Sequence, residues 1–294
     1  MRTARILFTA FTATILLAAS ALPAAAALAT RSFRNYVALG DSYTSGPFIP
    51  AQRWDPIGCG RSTNNYPAVL ADKLHVRSYT DVSCGGADTS NLTQPQDVIL
   101  GRNPAQLAAL GVSTDLVTIG IGGNDYGVFG RIIGTCPGLR AADPTGNPCQ
   151  RHFTVNGVDT LKAALANTQA NVTTALRGIH YHAPHATVLA IGYPRIAPET
   201  GYCPAILPFA DGDYAWLNSV EQALNAAVRN AVAADTNSFY VDTYGPSRGH
   251  DACATGGAAW INGKDSGLFV PAASYHPFRA GMAGIANVIY RQLK

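Results

Sequence analysis

Five short β-prone runs punctuate the sequence, and each ends in a short polar turn. Residues 36–39 end at Gly40-Asp41-Ser42, and 76–82 end at Ser83-Cys84-Gly85-Gly86. Residues 115–121 form a continuous apolar run ending at Gly122-Gly123-Asn124-Asp125. Such a run suits a strand buried on both faces of a parallel sheet. Residues 188–191 end at Gly192-Tyr193-Pro194, and 239–241 end at Asp242. The intervening segments 65–74, 104–110, 159–180 and 213–234, and the final 279–293, carry apolar residues near helical spacing. Strands alternating with helices predict an α/β fold: a three-layer α/β/α sandwich on a five-stranded, mostly parallel sheet. Residues 129–156, bracketed by Cys136 and Cys149, read as an irregular, stapled surface excursion.

The first residues stand apart from this pattern. Arg2 and Arg5 precede an apolar run over 6–19, and Ala27-Leu28-Ala29 has the small-x-small form of a signal-peptidase site. Residues 1–29 are therefore expected to be a signal peptide and 30–294 one exported domain. Without Arg2 and Arg5 the formal net charge falls from +3 to +1, with no basic stripe, which argues against a nucleic-acid partner. Six cysteines in an exported chain imply disulfides. Six cysteines allow fifteen pairings. Sequential pairing, Cys59–Cys84, Cys136–Cys149 and Cys203–Cys253, is the simplest because each bridge closes locally. Neither Cys-x-x-Cys nor Cys/His ligand spacing is present, so no metal or other cofactor is expected.

In open α/β folds ligands bind at the carboxyl edge of the sheet, where the five turns should lie. Three turns carry complementary groups. Ser42 offers a hydroxyl, Gly86 an unobstructed backbone N–H, and Asn124 a side-chain amide. A serine attacking an ester carbonyl creates an oxyanion, and the N–H of Ser42, the N–H of Gly86 and the Asn124 amide could receive it. Of seven histidines, His276 stands just before the last helix, from where it could reach this edge as a base. His180, His182 and His185 cluster where a helix ends, as solvated surface groups do. Asp41 and Asp125 read as carboxylates that hold turns. Tyr43, Tyr126 and Tyr193 should line the cleft or pack beneath it, with His250 and Asp251 at its border.

Together these four blocks resemble the GDSL/SGNH hydrolases, and the cysteine pattern, Gly192-Tyr193-Pro194 and the segment Gly249 to Cys253 resemble their secreted actinobacterial esterase and lipase branch. The resemblance covers nearly the whole mature chain. It implies the flavodoxin-like SGNH fold, Ser42 as nucleophile, His276 as base, and Ser42, Gly86 and Asn124 as oxyanion hole. Sequential cysteine pairing is also that of the branch. The chain departs from the family in one place: where Asp-x-x-His is usual, Ala273 stands three residues before His276. The resemblance implies that the main-chain carbonyl of Ala273 orients the imidazole; the alternative is Asp242 or Asp265 approaching from elsewhere.

Gly245-Pro246-Ser247-Arg248-Gly249 also fits the Gly-x-Ser-x-Gly elbow, but no helix follows it, and the elbow needs a strand–turn–helix. The expected activity is hydrolysis of carboxylic esters, with lipid esters favoured by resemblance and acetylated carbohydrate or polymer as the alternative. A silent surface-binding module of the same fold is the reading of another class. The expected protein is a monomer that touches a lipid surface at most transiently.

Overall fold

The computed structural model describes residues 32–264 and 270–294; the expected signal peptide lies outside them. The strands are β1 (Asn35–Gly40), β2 (Ser78–Asp81), β3 (Gln96–Val98), β4 (Gly101–Asn103), β5 (Leu116–Gly120), β6 (Thr154–Val155), β7 (Val158–Asp159), β8 (Thr187–Ile191) and β9 (Ser238–Val241). The α-helices are α1 (Ser42–Ser45), α2 (Tyr66–Leu74), α3 (Val128–Leu139), α4 (Pro148–Phe153), α5 (Thr160–His182), α6 (Tyr214–Ala233) and α7 (Arg279–Gln292). The main sheet has the order β2-β1-β5-β8-β9, and every pairing in it is parallel. Two small antiparallel ribbons, β3-β4 and β6-β7, stand outside it. The order reverses between β1 and β5, which opens a crevice at the carboxyl ends of those two strands.

Strand alternation builds the layers. Val37, Leu39, Val117, Ile119, Val188 and Ala190 meet α5 and α6 through Val172, Leu176, Ile179, Val228 and Ala231. The intervening residues Tyr36, Ala38, Leu116, Leu189 and Ile191 meet α2 and α7 through Leu70, Met282, Ile285 and Ile289. Burying both faces explains why these strands read as unbroken apolar runs. Asp159 caps α5 by accepting the Leu161 and Lys162 N–H groups, each at 3.1 Å.

Two expectations are corrected. Residues 129–156 are mostly helical: α3 and α4 occupy much of them, followed by the β6-β7 ribbon. Gly130, Gly134, Pro137 and Gly138 lower helix propensity there, but Val128, Phe129, Ile132, Ile133 and Cys136 share an inward stripe that packing rewards. Residues 104–110 make only a 3-10 turn, Gln106–Ala109. Its Gln106 side chain is fully buried and bonds both polar groups of Gly40, accepting its N–H at 2.7 Å and donating to its carbonyl at 2.9 Å. The three disulfides in the structure are Cys59–Cys84, Cys136–Cys149 and Cys203–Cys253.

The end of β1 is the tightest point of the frame. Gly40 has φ 148°, and a Cβ there would lie 2.3 Å from Thr44 Oγ1 and 2.5 Å from the Gly120 carbonyl oxygen. Thr44 could rotate away, but backbone at Gly120 could not. Gly40→Ala should therefore cost about 3 kcal/mol or more in urea unfolding, and adding Thr44→Ala should not restore it. An alanine variant of wild-type stability would contradict this packing.

Candidate active site

Three turns at the carboxyl edge meet the turn before α7. In the first, the Asp41 carboxylate accepts the Tyr43 N–H at 2.8 Å and caps α1. Ser42 takes the first helical position, where its N–H has no intrahelical partner. In the second, Cys84 donates to the Gly40 carbonyl at 3.0 Å, so this turn begins beside the end of β1. The Ala87 N–H donates to the Cys84 carbonyl at 3.1 Å and closes the turn, with Gly86 at φ 76° in its third position. That position favours glycine. The Gly86 N–H has no acceptor among the described residues. In the third, Asn124 donates one amide hydrogen to the Ala87 carbonyl at 2.9 Å, which leaves its second N–H for a ligand.

Two carboxylates lock these turns together. Asp125 accepts from the Thr89 N–H, the Thr89 hydroxyl and the Asn171 amide, each at 2.9 Å. Asp41 accepts from the Tyr193 hydroxyl, which itself accepts the Gly123 N–H at 2.9 Å. Burial pushes the Asp41 carboxyl up to about 7, against the opposing effect of the Tyr193 and Tyr43 hydrogen bonds.

His276 completes the set. Its Nε2 lies 2.7 Å from Ser42 Oγ, and its Nδ1 lies 2.7 Å from the Ser274 carbonyl oxygen. A carbonyl only accepts, so Nδ1 carries the proton and Nε2 is free to take one from Ser42. The ring is buried, 5.2 Å from Tyr43 and 5.4 Å from Phe129 between centroids. Burial pulls its pKa down to about 4, with the Ser274 carbonyl opposing, so the imidazole is neutral at pH 7. The Tyr43 hydroxyl donates to the Tyr275 carbonyl at 2.6 Å and ties the histidine turn to α1.

The expected role of Ala273 is corrected. Its carbonyl accepts the backbone N–H of His276 at 3.1 Å and closes the turn. Tyr275, at φ 63°, reverses the chain, and the Ser274 carbonyl faces the imidazole instead. Asp242 is elsewhere: it accepts the Tyr244 and Gly245 N–H groups at 2.9 and 3.1 Å, capping the turn after β9. Asp265 lies outside the described residues. Ser247 is fully buried, accepting the Arg195 N–H at 2.8 Å and donating to the Tyr244 carbonyl at 3.0 Å.

Comparison with known proteins places the chain in a family. Residues 38–283 match the model of the GDSL-like Lipase/Acylhydrolase family. The chain belongs to that family. Lipase 2 of Streptomyces coelicolor is 44% identical over 235 residues, covering 77% of this chain and 75% of that protein. The crystal structure of phospholipase A1 from Streptomyces albidoflavus NA297 superposes with a TM-score of 0.73 at 29% identity, covering 88% of this chain and 99% of that one. The extracellular lipase from Streptomyces rimosus gives a TM-score of 0.65 at 28% identity with the same coverage. As a GDSL family member the chain is a carboxylic ester hydrolase.

An apolar cleft opens beside Ser42 and Asn124. Ile132 and Ile133 of α3 and Leu217, Val220 and Leu224 of α6 make its walls apolar. Tyr43 and Tyr193 also line it, whereas Tyr126 is half exposed. His250 and Asp251 do not border it: His250 stacks on Trp260, and Asp251 accepts the Cys253 N–H at 3.0 Å. Of the helix-end histidines, His180 pairs with Asp235 at 2.9 Å. Among the described residues no three His, Cys, Asp or Glu side chains converge as metal ligands.

Of the two carboxyl groups in the wall, Asp41 and Glu221, the sequence reading did not single out Glu221. Its Oε2 accepts the Ile196 N–H at 3.2 Å, while Oε1 is shut from solvent and has no partner among the described residues. Burial pushes this carboxyl up to about 8, with the Ile196 hydrogen bond and Arg195 opposing. The folded state then holds a proton that the unfolded state has released above about pH 4.5, so stability falls as pH rises toward 8. Glu221→Gln removes this titration. The variant should gain on the wild type by about 1 kcal/mol per pH unit at most between pH 4.5 and 8, read by urea unfolding. Parallel profiles would show that the carboxyl is not held neutral.

Proposed function

We propose that the chain is an exported lipase- or phospholipase-type esterase with Ser42 as nucleophile and His276 as general base. The observation that carries this is the 2.7 Å contact between Ser42 Oγ and His276 Nε2 at the mouth of an apolar cavity. In acylation, Ser42 Oγ bonds to the ester carbonyl carbon while His276 Nε2 takes the hydroxyl proton. The oxyanion is received by the Ser42 N–H, the Gly86 N–H and the free Asn124 N–H. The C–O bond to the alcohol then breaks, and the imidazolium gives its proton to the leaving oxygen. Water, deprotonated by the same imidazole, attacks the acyl carbon; the bond to Ser42 Oγ breaks, the imidazolium returns its proton to that oxygen, and the acid leaves.

The cavity supports an acyl chain longer than acetyl. Its lining is almost wholly apolar, which suits an alkyl chain, whereas acetylated carbohydrate would favour polar walls. The cycle uses only this chain's own groups, so one copy suffices. Three disulfides suit an oxidising compartment, which fits a signal peptide over residues 1–29.

Ser42→Ala should lower kcat on a soluble p-nitrophenyl ester by about 10⁴-fold or more, whereas Ser247→Ala and Asp242→Asn should stay within about tenfold of wild type. Loss confined to the Ser247 variant would overturn the assignment. The pH profile gives a second check. Protonation of His276 removes the acceptor, so kcat/KM should hold from pH 7 downward and fall only on approaching about pH 4. An acid limb centred near the ordinary histidine value of about 6.5 would show an imidazole in water, not in this pocket.

A further inference from the structure

The loops that carry the site also carry exposed apolar side chains that the fold does not use. Trp54 is 83% exposed, Ile99 80%, Leu100 83%, Phe48 59% and Tyr126 51%. All five follow the carboxyl ends of β1, β2 or β5, where Ser42, Gly86 and Asn124 stand. Phe48, Leu100 and Tyr126 have φ of 67°, 56° and 54°. That conformation is costly for side chains of this size and cheap for glycine or asparagine. Leu100 is the plainest case. With Ile99 it forms the two-residue tip of the β3-β4 ribbon, at the turn position where glycine is normally found. Strain and exposed apolar surface together at a tip point to a role outside folding.

The tip is rigidly built. The Gln96 amide at its base donates to the Gly85 carbonyl at 2.8 Å, beside Gly86. Buried Arg61 donates to the Asp81 carbonyl at 2.8 Å, to the Asp55 carbonyl and to Asn103 at 3.3 Å, joining β2, the Trp54 loop and β4. A Cβ on Gly58 would lie 2.4 Å from the Ile99 carbonyl oxygen, so the tip rests directly on the loop that carries Trp54. The charges of this lip are matched: Arg102 pairs with Asp97 at 3.2 Å, and Arg53 pairs with Asp55.

We propose that this lip is an interfacial docking surface that seats the enzyme on an uncharged or zwitterionic lipid layer, with the mouth beside Ser42 facing the layer. The proposal rests on the ester-hydrolase reading of Ser42. Large aliphatic and indole side chains gain by entering the headgroup boundary. Matched charges give no purchase on anionic headgroups, so the attraction should be apolar.

The test compares soluble and aggregated substrate. A variant carrying Trp54→Ser, Ile99→Ser and Leu100→Ser should keep kcat/KM on a soluble short-chain p-nitrophenyl ester within about twofold of wild type. It should lose tenfold or more in hydrolysis of an emulsified triacylglycerol and in binding to phosphatidylcholine vesicles. All three positions are exposed, so thermal unfolding should be unchanged. Val112→Ser with Tyr181→Ser, exposed residues preceding β5 and β8 at the opposite edge, should alter neither measurement. Equal binding and emulsion activity in wild type and the triple variant would overturn the docking surface. Binding confined to phosphatidylglycerol vesicles and abolished by salt would overturn its uncharged character. A wild type inactive on the soluble ester would instead overturn the reading of Ser42, and vesicle binding would still report on the lip.

Discussion

The structure turns on a neutral imidazole held between two oxygens in a dry place. His276 is enclosed by Tyr43 and Phe129 and contacts Ser42 Oγ and the Ser274 carbonyl at 2.7 Å each. Burial disfavours the charged ring, which keeps Nε2 available as an acceptor. A carboxylate behind the ring would favour imidazolium and would itself need desolvation. A carbonyl fixes the tautomer without adding charge. The absence of Asp at position 273 is therefore consistent with the surroundings of the histidine.

Holding that contact requires segments far apart in sequence to meet to within a few tenths of an ångström. The frame does this with side-chain-to-backbone bonds. Gln106 seals the end of β1 at Gly40, and Tyr43 holds the histidine turn through the Tyr275 carbonyl. Tyr193 bridges Asp41 to Gly123, and Asp125 binds the Thr89 loop to α5 through Asn171. Each of the three proposed oxyanion donors thus belongs to a turn already fastened to its neighbour. Preorganised donors cost little reorganisation when negative charge develops.

Much of this was legible in the sequence because it follows from local chemistry. Strands buried on both faces must be continuously apolar, and their glycine turns mark the carboxyl edge. Asp41 and Asp125 were readable as turn-holding groups because carboxylates beside glycine turns commonly accept their N–H groups. The orienting carbonyl was not readable. Every residue supplies one, and the choice of Ser274 over Ala273 is made by the left-handed conformation of Tyr275, for which a tyrosine gives no warning. Helix α3 was hidden because its glycines and Pro137 speak against a helix, while the stripe that stabilises it acts only once the chain has folded and α4 and α5 lie beside it. Gln106 and Glu221 escaped notice because an isolated polar residue in an amphipathic segment resembles surface.

The central claim is that Ser42, made nucleophilic by His276, is where the acyl group is carried. The most direct measurement is mass spectrometry of the folded protein after treatment with an alkyl phosphonate ester, with the adduct mapped to a peptide. The account predicts a single adduct on Ser42, formed far more slowly when His276 is replaced by alanine. An adduct on Ser247, or none on a folded wild-type chain, would contradict it.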